Sequence, residues 1–451
     1  MLKLSANVKH SLHCILLLST IIGYELLSYY SNPNTDQSVS DLFSDYSLWT
    51  ALAILLYNLL NLLSLPMNLF SIIGLLLYNA FKDDIKIKKL KSIEKKIPFL
   101  CIRVVTRGDY PQLVRKNVDR NMKTCLSAGL RDFIIEVVTD RAIGLKTSTK
   151  IRELVVPDGY RTKSGALFKA RALQYCLDDG INTLKDNDWI VHLDEETVIT
   201  KNSVNGIINF VRESRHQFGQ GVITYGKDGI VNWWTTLAES YRVAEDLSVY
   251  RLQFSMFHKP LFAIKGSYIV ANSGAERSVT FDNNGPNGSV CEDIFMAFNA
   301  YRRGYTFDFI EGEMYEKSTF TVWDFIRQRK RWIQGLLLLI YTSNIEHRYL
   351  ILLEIVHLSM FAMYIQLIDL IYPVPTVYWC QLINRLTVSV VVYQQLFGTV
   401  IQFDWRQIGI KKFILCLVGS VLVIPFNYVC FLIVILYALL TKKHEFFVVQ
   451  K

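Results

Sequence analysis

Apolar residues gather at the two ends of this 451-residue chain, and that arrangement limits its architecture more than any other feature. Residues 11–30, SLHCILLLSTIIGYELLSYY, are long enough to cross a hydrocarbon core roughly 30 Å thick, with Glu25 as the one clear flaw. Residues 48–81 form a second apolar stretch, either one long span or a span plus an interfacial piece, with Pro66 as a kink. Apolar runs resume at about 349–372, 376–402 and 412–440. Between about 98 and 330 the composition is that of an ordinary globular domain. The pattern predicts four parts: a membrane region over 1–81 with about two spans, a basic linker over 82–97, a soluble domain over 98–345, and a membrane region over 346–451 with about three spans.

Charge gives the orientation. Residues 1–10 carry Lys3 and Lys9 and no acid, and the loop 31–47 carries Asp36, Asp41 and Asp45 and no base. The linker KDDIKIKKLKSIEKKI holds seven lysines against three acids. The positive-inside rule therefore puts the N-terminus and the central domain on the cytosolic side. No A-x-A-like site follows the first segment, so it reads as a retained anchor and not a cleaved signal peptide. The side of the C-terminus stays open. Three spans would put the basic tail outside, while a hairpin broken at Pro425 or a run lying in the interface would bring it back.

The net charge of +9 could suit nucleic acid or anionic lipid, but the excess hugs the membrane boundaries, which excludes a nucleic-acid partner and favours the membrane surface. Eight cysteines without a CxxC pair argue against a disulfide framework or a zinc ribbon. Four of them, Cys101, Cys125, Cys176 and Cys291, fall in the cytosolic domain, where thiols stay reduced and the sequon Asn287-Gly288-Ser289 goes unglycosylated.

The central domain alternates strands and helices. FLCIRVVTR (99–107), FIIEVVTD (133–140), IRELVVP (151–157) and DWIVHLDEE (188–196) read as strands; 110–129, ending at Gly129 as a C-cap, and 166–177 read as helices. This rhythm predicts an α/β fold with a mostly parallel sheet covered on both faces. Ligands of such sheets bind beyond the carboxyl ends of the strands. Attention therefore falls on Thr106, Arg107, Asp109, Asp140 and the triplet Asp194-Glu195-Glu196.

Three constellations carry chemistry. Asp194 and Glu196 lie two apart, on one side of an extended chain, and suit a hard divalent cation that also holds a diphosphate; a surface turn with capping acids is the plain alternative. Glu292 and Asp293 open a helix, where acids also serve as caps or dipole partners. In FIRQRKRWIQG (325–335), Gln328, Arg331 and Trp332 share one helix face, able to grip a diphosphate and floor a sugar site; the adjoining bases could equally meet the membrane surface. The stretch 231–262 places Trp233, Leu237, Tyr241 and Ala244 on one helical side, either a core helix or an amphipathic helix at the interface that admits a lipid-linked acceptor. His258, near this stretch, reads as structural.

Taken together, an acidic strand end, Glu-Asp about 100 residues on and Q-x-x-R-W about 35 residues later resemble the family 2 glycosyltransferases. HLDEETVIT, NWWTTLAESYRV, LQFSMFHKPLF, KGSY, GAERSVTFDN and FIEGEMYEKSTFT narrow the likeness to the Egghead-type β-1,4-mannosyltransferases of invertebrates. The resemblance implies a GT-A, Rossmann-like domain flanked by transmembrane helices, in a multi-pass protein of the endoplasmic reticulum or Golgi. It further implies inverting transfer of mannose from GDP-mannose to glucosylceramide with Mg2+ or Mn2+. Residue by residue, it implies Asp293 as general base and Asp194 and Glu196 as the metal motif, with Glu where the family's second position is usually Asp. Thr106, Asp140, Lys163, Asp194 and Arg331 would face the donor, and Gln328, Arg331, Trp332 and Glu292 the acceptor and diphosphate. RGDY departs from the family's P-x-x-N-E form, so Thr106 rests on position alone.

Two rival readings remain. A processive polysaccharide synthase using a UDP-sugar would line a channel with polar residues such as Asn384, Arg385 and Gln394. A membrane scaffold without catalysis would leave the strand-end acids and Gln328, Arg331 and Trp332 without a purpose.

Overall fold

The structure is a computed structural model that describes residues 4–31, 38–81, 84–88, 96–262, 264–283, 285–340 and 374–442. The apolar run 349–372, much of the lysine-rich linker, Lys3, Asp36 and the tail beyond Lys442 lie outside the described residues. Three described stretches are long and apolar enough to cross a membrane: Ala6–Tyr30, Leu48–Leu77 and Ile410–Leu440. Two of these refine the sequence reading. Helix Leu48–Leu62 stops and Leu65–Leu77 restarts with Pro66 in its first turn, where a missing N–H costs nothing. Pro425 lies inside the continuous helix Ile410–Leu440, so no hairpin breaks there.

The described residues form two compact units. The first comprises those of 1–83, 240–252 and 346–432. Glu25, the flaw in the first apolar run, meets Arg385 at 2.8 Å, and Arg385 also donates to Gln381 at 2.8 Å. Isolated charge in hydrocarbon is costly, and pairing across two helices offsets it. Gln394 donates to the hydroxyls of Ser71 (3.1 Å) and Ser248 (3.2 Å). A Cβ at Gly74 would overlap the carbonyl of Ser248, and one at Gly398 the carbonyl of Ser240, so glycine allows close backbone packing at both places. Residues 240–252, inside the range expected for the soluble domain, thus pack with the apolar helices, and their backbone takes a π-helical turn over Asp246–Tyr250.

The second unit comprises the described residues of 84–239, 253–345 and 433–451. Its centre is a seven-stranded sheet of order β3-β2-β1-β4-β6-β5-β7. Four strands stand where the sequence places them: β1 (Leu100–Thr106), β2 (Phe133–Thr139), β3 (Ile151–Val155) and β4 (Trp189–Asp194). The others are β5 (Phe218–Thr224), β6 (Ile269–Asn272) and β7 (Phe307–Tyr315). All pairings are parallel except those of β6 with β4 and β5. Every residue of β1 is buried, as a central strand covered on both faces requires. Helix Pro111–Ser127 closes at Gly129, whose φ of +88° suits glycine, and the N–H of Leu130 returns to the carbonyl of Cys125 at 3.0 Å.

One polar group runs through the core. Arg103, 1% exposed in the middle of β1, pairs with Glu136 of β2 at 2.8 Å and with Glu276 at 3.2 Å. Glu276 also meets His192 at 2.5 Å, and Arg152 closes on Glu136 at 3.1 Å.

Candidate active site

Parallel pairing puts the ends of β1, β2 and β4 on one edge of the sheet. Thr106 stands opposite Thr139, the last residue before Asp140, and Val105 stands opposite Asp194. Thr106 donates to the carboxylate of Glu195, tying the ends of β1 and β4 together, and accepts the N–H of Gly108 at 3.0 Å. The middle acid of the triplet is therefore spent on this tie, and the chain turns there, since β4 ends at Asp194 and the N–H of Thr197 returns to the Asp194 carbonyl at 3.0 Å. Asp140 is held by Arg171 at 2.5 Å.

Lys169, not singled out in the sequence, is the hub. It lies in the first turn of helix Phe168–Tyr175. Its ammonium donates to Asp194 Oδ1 (2.6 Å) and to the carbonyl of Gly266 (2.8 Å), and stands 3.5 Å from Glu292. Burial alone would lower its pKa, but Asp194 and Glu292 hold it above the usual lysine range. Lys163, the expected base in this stretch, sits on an exposed turn five residues before the helix. The stretch held the right chemistry, and its helix start was the signal for which lysine faces the strand ends.

Glu292 and Asp293 open helix Glu292–Arg302, with Cys291 as its N-cap residue. Burial, then repulsion from Glu292, pushes the Asp293 carboxyl up to about 7, against the pull of Lys169, the Ile294 N–H and Arg331. Its Oδ2 would lie 3.1 Å from a Cβ built on Gly266, and Lys169 Nζ 3.4 Å from the same point. Glycine here leaves room for both charged groups.

Gln328, Arg331 and Trp332 lie on one helix, Val322–Ile340. That helix crosses the Asp293 helix at Gly335, where a Cβ would overlap Cys291 Sγ. The crossing brings the Arg331 charge to bear on Asp293. Its neighbour Arg329 is turned inward, paired with Glu239 at 2.8 Å and set over the Phe325 ring. The basic run is thus divided between core and site and is not one surface patch. Trp332 lies 5.1 Å from the Arg329 guanidinium, which fixes one face of its ring.

A third carboxylate that sequence reasoning missed joins the strand-end acids. Glu316, next to the end of β7, accepts from Thr197 at 2.5 Å. Burial first, then the charges of Glu196 and Asp194, push it up to about 7. Ser267 supports the same corner, accepting the N–H of Asp194 at 3.2 Å. Its sequence, EGEMYEKS, gave only a weak alternation in which no single glutamate stood out.

A mostly parallel sheet whose carboxyl edge gathers acids, a lysine and an arginine suits the handling of a substrate with a diphosphate leaving group. The description Glycosyl transferase family group 2 matches residues 189–441. The chain belongs to that family and is a hexosyltransferase. It is 47% identical to the β-1,4-mannosyltransferase egh of Drosophila melanogaster, over 99% of this chain and 98% of that protein. It is 42% identical to the β-1,4-mannosyltransferase bre-3 of Caenorhabditis elegans, over 99% of each. Among solved structures, residues 1–349 of Staphylococcus aureus TarS with UDP-GlcNAc align at 14% identity and a TM-score of 0.33, covering 68% of this chain and 92% of that one, too slight a likeness to add to the argument.

Proposed function

We propose that this enzyme transfers mannose in β-1,4 linkage, with inversion, from GDP-mannose to glucosylceramide, at the cytosolic face of the endoplasmic reticulum or Golgi. The observation that carries the reading is Asp293: a carboxyl pushed up to about 7, beside Lys169 and Arg331, near the strand-end acids. A carboxylate with a pKa near the working pH is well matched to take a proton from an attacking hydroxyl. Asp293 would take it from the acceptor sugar as that oxygen attacks C1 from the face opposite the diphosphate. Arg331 would hold the phosphates, and Trp332 and Gln328 would floor the acceptor sugar. Thr106 and Asp140, at the ends of β1 and β2, would flank the nucleotide. The choice of mannose and of a glycolipid acceptor is supported by the full-length likeness to the named mannosyltransferases.

A divalent cation, Mg2+ or Mn2+, belongs to this reading. Asp194, Glu196 and Glu316 offer only oxygen, which suits a hard cation, and the repulsion that lifts Glu316 is what such an ion would relieve. Among the described residues no three His, Cys, Asp or Glu side chains form a closed ligand cage. An ion that arrives with a diphosphate needs only one or two carboxylates. Bound to Asp194 and Glu196, it would neutralise the leaving group.

The processive alternative is less well supported. Arg385 and Gln394, which a channel would need, are engaged with Glu25, Gln381, Ser71 and Ser248. The test is a transfer assay with purified protein in detergent, glucosylceramide and, separately, GDP-mannose, UDP-glucose or UDP-N-acetylglucosamine, with and without EDTA. A single EDTA-sensitive mannose addition is expected; polymer growth from a UDP-sugar, with no mannosyl lipid, would overturn the reading.

A further inference from the structure

We propose that Lys169 is a built-in counter-ion: it occupies Asp194 until a divalent cation displaces it, and it then passes to Glu292 and Asp293 as a positioning residue for the base. This rests on the cation-dependent reading of the strand-end acids given above.

The geometry carries it. The ammonium is 2.6 Å from Asp194 Oδ1 on one side and 3.5 Å from Glu292 Oε1 on the other. The Gly266 carbonyl, 2.8 Å away, anchors it between the two. A cation bound to Asp194 would repel the ammonium strongly at that distance, because two like charges so close, away from bulk water, are poorly screened. The lysine need not leave the site, because Glu292 and Asp293 wait on the same side, and Gly266 leaves the passage open. The order of events follows. The base receives its full counter-charge only once the cation, and with it the donor diphosphate, has taken Asp194. Glycosyl transfer is thereby linked to a loaded donor site.

The test measures Mn2+ binding to full-length protein in detergent by loss of the free-ion paramagnetic resonance signal, without donor or turnover. Lys169→Met and Lys169→Gln should bind Mn2+ about tenfold or more tightly than wild type, and Lys169→Arg should stay close to wild type. A lysine that only packs would leave the affinity unmoved in all three, which would overturn the proposal. Binding by the two neutral variants but not by wild type would support it. Failure of every variant to bind would overturn displacement at Asp194 by a free cation, and this inference with it, while the mannose-transfer assay stands or falls on its own. Should the neutral variants not fold, amine-reactive labelling of wild-type Lys169, read by mass spectrometry, keeps the question open to refutation: Mn2+ should change its labelling rate several-fold, and an unchanged rate would count against displacement.

Discussion

The soluble unit holds two groups of buried charge, and they obey opposite rules. In the core, Arg103 faces Glu136 and Glu276, with Arg152 and His192 closing the outer sides. Glu276 stays below the usual glutamate range there: His192 and Arg103 outweigh the effect of burial. At the sheet edge, Lys169 lies between Asp194 and Glu292, and the Arg331 charge bears on Asp293, yet Asp293 and Glu316 both rise to about 7. Charges that match hold a fold; carboxylates left in excess wait for something positive or for a proton. The same domain matches its buried charges in one place and crowds carboxylates together in another, the kind of perturbation that clusters at functional sites.

The comparison breaks most visibly at Arg103. Arg103→Met would take the central partner from two buried carboxylates, leaving them only Arg152 and His192 at their outer sides, and loss of one partner from such a network costs about 3 to 5 kcal/mol. The expected result is little folded protein, read as poor recovery and a large fall in melting temperature. At the edge, Asp293→Asn should do the reverse: turnover falls by roughly 10² to 10⁴ or more, while the fold persists. The folded state raises this carboxyl, so its penalty on stability is absent near pH 4, grows as pH rises, and is complete above about 7. The variant should therefore melt higher than wild type at pH 8 and alike at pH 4; a lower melting temperature at pH 8 would break the contrast. The smallest effect is on the pH profile. Turnover should climb as pH rises through about 7 and then level off, because the base must be ionised. Glu316 rises to about the same value, so Glu316→Gln, which should lower activity without moving that limb, tells which carboxyl sets it.

Much of this was legible in the residues. Buried strands announced themselves as short apolar runs, and β1, β2, β3 and β4 stand within two residues of their expected ends. Asp194 stands at a strand end, Asp293 in the first turn of a helix, and Gln328, Arg331 and Trp332 on one helix, as periodicity places them. What stayed hidden depends on partners far away in sequence. Lys169 reaches a loop at Gly266 and a helix at Glu292; Glu316 is defined by Asp194 and Glu196. Arg103 in the middle of FLCIRVVTR was a signal passed over: a charge inside a buried run demands acids beside it, and Glu136 of the neighbouring strand supplied one. Residues 240–252 looked like the rest of the soluble domain because helical periodicity says which side is apolar and not what covers it.

The crossing at Gly335 has a mechanical consequence. With no side chain there, the helix bearing Arg331 is meshed against Cys291, one residue before the acid pair, like two gears sharing a tooth. Anything bulkier than glycine at 335 would have to push the Cys291 side chain, and with it the start of the acid-bearing helix, away from the helix that carries Arg331. Drift in either sequence that thickens that contact would part the arginine from the acid pair.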